Sequence, residues 1–223
     1  MIKKIKEILT TDSSGSTSTD KSNKEKKIIM IDPAALGLDD EAGPPPEPDL
    51  RIIGLFADVH EEKIAELIHG LLVLDEMNKL TKEDKRKPIE FYISTYGGNA
   101  DDMFGLYDVI RQVKETSEIH TIGLGKVMSA GVLLLASGTK GKRKIGKNCR
   151  VMIHSVMGGN HGSLHNMMNE LEAIEQLQDM YCDALIAETK LTRAKLKKMI
   201  ERKVNVYLSA EEAVELGIAD III

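Results

Sequence analysis

The chain has 223 residues, 42% hydrophobic and 29% charged, an ordinary balance for a globular protein. Thirty Lys and Arg against 35 Asp and Glu give a formal charge of −5, which argues against a nucleic-acid binder that tracks phosphates. No run approaches the roughly 18 apolar residues of a membrane span, the N-terminus lacks the apolar segment of a secretory signal, and Cys149 and Cys182 are too few for a disulfide framework or a zinc knuckle. A soluble, cytoplasmic protein is expected.

Residues 11–27 are Ser, Thr, Lys and Asp-rich and carry no apolar side chain, too little to offset the entropy of ordering them. A short apolar run, Ile28–Ile31, could add an edge strand or dock on a neighbour. Gly43–Pro48 holds four of the six prolines and reads as a semi-rigid linker. Residues 1–50 are therefore expected to be a tail and linker, and 51–223 one domain.

Within that domain the hydrophobic period switches regularly between two and 3.6. Arg51–Phe56 predicts a strand, and Ile64, Leu67, Ile68, Leu71 and Leu72 a helix ending near Leu80. Ile89–Ser94 is a buried strand broken by Gly97-Gly98. Met103, Leu106, Tyr107, Ile110 and Val113 mark the next helix. A strand at Ile119–Leu124, an apolar helix at Ala130–Ala136 and a strand at Arg150–His154 follow. Leu164, Met167, Met168, Leu171, Ile174, Leu177, Tyr181 and Leu185 then recur in steps of three and four along one long helix. Two helices, at Leu191–Lys203 and Ala210–Leu216, and a strand at Ile218–Ile223 complete the series. Strands alternating with helices imply right-handed crossovers and a mainly parallel sheet, so the fold class is α/β.

Three places could carry chemistry. Ser129 stands between a strand and the helix Ala130–Ala136, among small residues that would let a carbonyl approach, and near unpaired N–H groups that could hold an oxyanion. It could equally be a helix N-cap. The match to the G-x-S-x-G elbow is half made, because Val127 occupies the first glycine position. His154 ends an apolar strand, where an open α/β sheet faces its ligand crevice; a structural histidine is the alternative. His161 and His165 have i,i+4 spacing and could ligate zinc with His154, but no Cys or carboxylate completes an obvious set and Gly162 weakens that helix start, which favours surface roles. Tyr96-Gly97-Gly98-Asn99 could aim backbone N–H groups at an anion, or be a simple tight turn.

Taken together, these segments resemble the proteolytic subunits of the Clp protease family, within the ClpP/crotonase fold. The resemblance runs from about Arg51 to Ile223 and is carried by FYISTYGGNADDMFGLYDVI at 91–110, GLGKVMSAGVLLLASGTKGKR at 123–143, RVMIHSVMGG at 150–159 and YLSAEEAVELGIAD at 207–220. It implies a serine endopeptidase that cleaves peptide bonds inside two stacked heptameric rings. Protein and peptide substrates would be fed by an AAA+ unfoldase, with no nucleic acid, membrane, metal or cofactor involved. ATP would be used by the partner, since the chain has no G-x-x-x-x-G-K-[ST] loop. By the same resemblance Ser129 is the nucleophile and His154 the general base, with the N–H groups of Gly98 and Ala130 forming the oxyanion hole. Val156, Met157, Gly158 and Gly159 would pair with the substrate as an added strand. The helix from about Leu164 to Glu188 would be the handle that interdigitates between rings.

Two departures stand out. Ser94-Thr-Tyr-Gly-Gly98 replaces the family's Asn-Ser-Pro-Gly-Gly, and Asn205 occupies the place of the triad Asp. An Asn carbonyl can orient the histidine but cannot compensate its positive charge. Asp179 or Asp183 on the long helix are the other candidates for that place. A weakly active or inactive ring subunit, and a crotonase-type acyl-CoA enzyme sharing the glycine-lined oxyanion hole, are the competing readings.

Overall fold

A computed structural model of the chain describes residues 50–159, 161–201 and 205–223. The expected tail and linker lie outside these residues except for Leu50. Fourteen elements follow in order, the third being a single 3₁₀ turn at Glu83–Lys85. They begin with β1 (Ile52–Leu55), α1 (Glu61–Lys79), β2 (Ile89–Thr95), α2 (Ala100–Val113), β3 (Ile119–Met128) and α3 (Ala130–Ala136). The two-residue β4 (Lys144–Ile145) and β5 (Arg150–Ile153) precede α4 (Leu164–Glu188) and α5 (Arg193–Ile200). The chain closes with β6 (Val206–Leu208), α6 (Ala210–Glu215) and β7 (Ile221–Ile222).

The expected α/β class holds. Strands β1, β2, β3, β4 and β7 pair in that order, all parallel. On its side away from β2, the long β3 serves two neighbours. Its first half pairs with β4 at Ile122 and Gly123, and its second half pairs in parallel with β5 from Lys126 to Met128. The sequence places the end of this strand at Leu124; pairing with β5 carries it four residues further, to Met128. Strand β6, too short to show a period, runs antiparallel to β5.

The core forms where the alternating faces of β2 and β3 meet the apolar faces of the helices. Ile89, Phe91 and Ile93 on β2 are fully buried, and each such side chain contributes about 1.5–3 kcal/mol on leaving water. All five apolar residues expected on α2 are buried. Leu72 on α1 departs from its expected face and stays partly exposed, with Val73 and Met77 beside it.

Helix α4 has 25 residues and is about 37 Å long at 1.5 Å per residue. Its apolar stripe divides in two. Leu164, Met168 and Leu171 are 58–65% exposed, whereas Tyr181, Cys182 and Leu185 are buried. The buried end is anchored by Arg143, whose guanidinium donates to the carbonyls of Ala136 (3.1 Å) and Glu188 (2.8 Å) and pairs with Asp220. Glu188 in turn accepts from Tyr107 Oη at 3.1 Å and Lys140 Nζ at 2.8 Å. The C-terminal ends of α3 and α4 are thereby tied to the loop before β7. No helix among the described residues is long and apolar enough to cross a membrane.

Candidate active site

Strands β2, β3 and β5 lie side by side and parallel, so their C-terminal ends meet at one edge of the sheet. The first leads into Gly97-Gly98, the second into Ser129 and the third into His154. Three segments spread over about 60 residues are thereby gathered in the crevice beyond the strand ends, where open parallel sheets place their ligands.

Ser129 has φ 52° and ψ −123°, and among the described residues it is the one non-glycine with positive φ. Such a conformation costs about 1–3 kcal/mol and persists only where the surroundings enforce it. Its N–H donates to Met152 O (2.8 Å), and its carbonyl accepts from Val132 N–H (2.9 Å) and from Tyr181 Oη (2.9 Å). Although Ser129 holds the N-cap position of α3, its hydroxyl makes no capping bond. Oγ lies instead 2.8 Å from His154 Nε2. With the proton on His154 Nδ1, Nε2 is free to accept the serine proton.

The glycine pair is a close approach of backbones. Val59 N–H donates to Gly97 O at 2.7 Å and Asn99 N–H to Val59 O at 2.9 Å, a single parallel bridge centred on Gly98. A Cβ on Gly97, at φ 102°, would lie 2.6 Å from Ser129 Cβ. In such a bridge the N–H of Gly98 faces away from Val59. Neither this N–H nor that of Ala130 has a protein acceptor among the described residues. Beneath the turn, buried Thr95 accepts from Gly97 N–H at 3.0 Å.

Gly98, Ser129, Ala130 and His154 line one cleft of about 400 Å³. Val156, Met157, Gly158 and Gly159 form its wall, with Ile174, Leu177 and Tyr181 of α4 behind them. Gly158 sits so close to α4 that a Cβ would lie 2.4 Å from Ile174 Cδ1. Val156 N–H is taken by Gln178 Oε1 at 3.2 Å, so this donor must be released before a substrate strand can use it. At the rim, Lys126 Nζ stands 4.6 Å from the centre of the Tyr96 ring.

The expected third member is the exception. Asn205 is exposed and, among the described residues, makes no hydrogen bond with His154. The β5–β6 pairing ends at Ile153 and Val206, and one further step in that register sets Asn205 across from His154. The two alternatives are drawn elsewhere: Asp183 pairs with Arg193, and Asp179 lies 3.7 Å from the same guanidinium. His161 and His165 are both exposed, and among the described residues no group of three or more His, Cys, Asp and Glu side chains could hold a metal ion. Sequence reading missed Val59, Thr95 and the second role of Tyr181. The first two carry no local chemical signal, and Tyr181 fell on the apolar stripe of α4.

The family model described as Clp protease matches residues 49–223. The chain is 34% identical over 173 residues to ATP-dependent Clp protease proteolytic subunit 1 of Prochlorococcus marinus (strain MIT 9312), covering 78% of this chain and 84% of that protein. It is 36% identical over 174 residues to ATP-dependent Clp protease proteolytic subunit 3 of Synechococcus sp. (strain CC9902), covering 78% and 82%.

Proposed function

This chain belongs to the Clp protease family of serine-type peptidases, and from that premise we propose that Ser129 and His154 hydrolyse peptide bonds in the cleft between β2, β3, β5 and α4. The observation that carries the reading is the 2.8 Å contact of Ser129 Oγ with His154 Nε2, made by a serine in an enforced backbone conformation. His154 takes the hydroxyl proton as Oγ attacks the scissile carbonyl. The oxyanion accepts from the N–H groups of Gly98 and Ala130. Imidazolium Nε2–H then protonates the leaving amine, and water, deprotonated by the same nitrogen, releases the acyl group. Val156–Gly159 hold the substrate backbone.

Members of this family work in oligomeric complexes with Clp ATPases. Here the subunit assembles through α4 into two stacked heptamers, and an AAA+ unfoldase feeds it unfolded protein in the cytoplasm. The exposed apolar stripe of α4 supports a subunit contact, because an isolated stripe of that size is costly in water. Asn205 supports a weak rather than a full triad: among the described residues no carboxylate bonds to His154, which leaves the imidazolium uncompensated.

A serine-directed fluorophosphonate tests this reading directly. The protein should be labelled at Ser129 and lose its hydrolysis of a fluorogenic peptide, and Ser129→Ala should show neither labelling nor turnover. Labelling at another residue, or full turnover by Ser129→Ala, would overturn it.

A further inference from the structure

We propose that Tyr181 is a positioning residue for the oxyanion donor of Ala130, an inference that rests on the reading above. Its hydroxyl donates to the carbonyl of Ser129 at 2.9 Å from a side chain that is 5% exposed. That carbonyl and the N–H of Ala130 belong to one peptide group. The peptide is trans and planar, so the two bonds point in opposite directions and cannot turn independently. A hydroxyl that fixes the carbonyl therefore fixes the direction of the Ala130 N–H.

The other restraints leave this work to Tyr181. Val132 N–H also reaches the Ser129 carbonyl at 2.9 Å, but it comes from the same turn and moves with it. Ser129 N–H is held by Met152, which restrains the preceding peptide instead. Among the described residues, Tyr181 is the one partner of the Ser129 carbonyl from a separate element, α4, and it ties the serine's outgoing peptide to that helix. It also polarises the peptide, since a carbonyl that accepts two hydrogen bonds makes its own N–H a better donor. Burial pushes the Tyr181 phenol well above its ordinary value, so the group remains a donor throughout the working pH range.

The effect belongs to the transition state, because the oxyanion forms only there. In the assembled protein, Tyr181→Phe keeps the ring and removes the hydroxyl. Its kcat should fall about tenfold to a hundredfold with KM within about twofold. Affinity for a peptide boronate, which forms a tetrahedral adduct on the serine, should fall by a similar factor. A kcat within twofold of wild type, or a loss confined to KM, would overturn the assignment. Fluorophosphonate labelling of the wild-type protein separates the two claims: a labelled wild type with an unimpaired Tyr181→Phe defeats this inference alone, and an unlabelled wild type defeats both. Should Tyr181→Phe fail to fold, 3-fluorotyrosine at 181 keeps the shape and strengthens the donor. A kcat about twofold higher supports the role, and an unchanged or lower one overturns it.

Discussion

Gly98 approaches Val59 so closely that a Cβ on Gly98 would lie 2.2 Å from the Val59 carbonyl oxygen and 2.8 Å from its nitrogen. At φ 147° the position is also unfavourable for any L side chain. The obstacle is backbone, which cannot swing aside as a side-chain tip could. Gly98→Ala should therefore push the turn off Val59 and misplace the Gly98 N–H. Peptide hydrolysis should fall by about a hundredfold or more, the scale of losing one oxyanion donor. Steady-state kinetics, with a melt to show that the domain persists, check this.

Asn205 supplies a more discriminating variant. It stands one register step beyond the last β5–β6 pair and makes no bond to the imidazole, so Asn205→Ala should leave kcat within about twofold. Asn205→Asp places a carboxylate across from His154, where it can accept from Nδ1–H and stabilise the imidazolium. Its kcat should rise by about tenfold or more with little change in KM, a fraction of the ~10⁴ that the Asp-to-Asn exchange costs in a trypsin-like triad. The measurement is kcat for the three proteins on one peptide.

The outer half of α4 leads to a prediction about assembly. Met168 and Leu171 are 60% and 58% exposed, and neither belongs to the hydrophobic core of its own domain. Replacing both with Glu should leave the melting midpoint of the subunit nearly unchanged, because surface substitutions of this kind stay within about 0.5 kcal/mol. If α4 makes the subunit contact proposed above, the mass measured by light scattering should fall from that of the proposed assembly to a smaller species, and a persistent large assembly would remove α4 from the contact.

Asp220 links stability to pH. Burial by itself would raise its carboxyl, but the hydrogen bonds and charge of Arg143 and the Gly141 N–H outweigh that effect and hold it below the ordinary carboxylate value. A group depressed in the folded state contributes stability above its unfolded value, about 3.9. That contribution is lost as pH falls through the lower folded value. Asp220→Asn should thus lower the melting midpoint by several degrees at pH 7, about 1–3 kcal/mol for weakening a charge-assisted bond to a buried Arg. It should also flatten the decline of the midpoint below about pH 4. Thermal melts from pH 3 to pH 7 on both proteins measure the difference.

Much of this protein is legible in its sequence because the signals are local. The alternation of Ile89, Phe91 and Ile93 and the spacing of Met103, Leu106 and Ile110 each record which face of an element is apolar, and the structure buries all six. Ser129, His154 and Gly98 stand out for the same reason: each is an unusual residue type at the end of an apolar run. Local period is silent on what covers a face. It treats Leu171 and Leu185 alike, although one is exposed and the other fully buried. It sees no strand in Val206–Leu208, because three residues acquire their extended form from pairing with β5. The 2.8 Å contact between residues 129 and 154, the bond from Tyr181 and the separation of Asn205 from the imidazole are decided by strand order and register. Those are properties of the whole sheet, and a shift of a single residue in any one pairing would undo them.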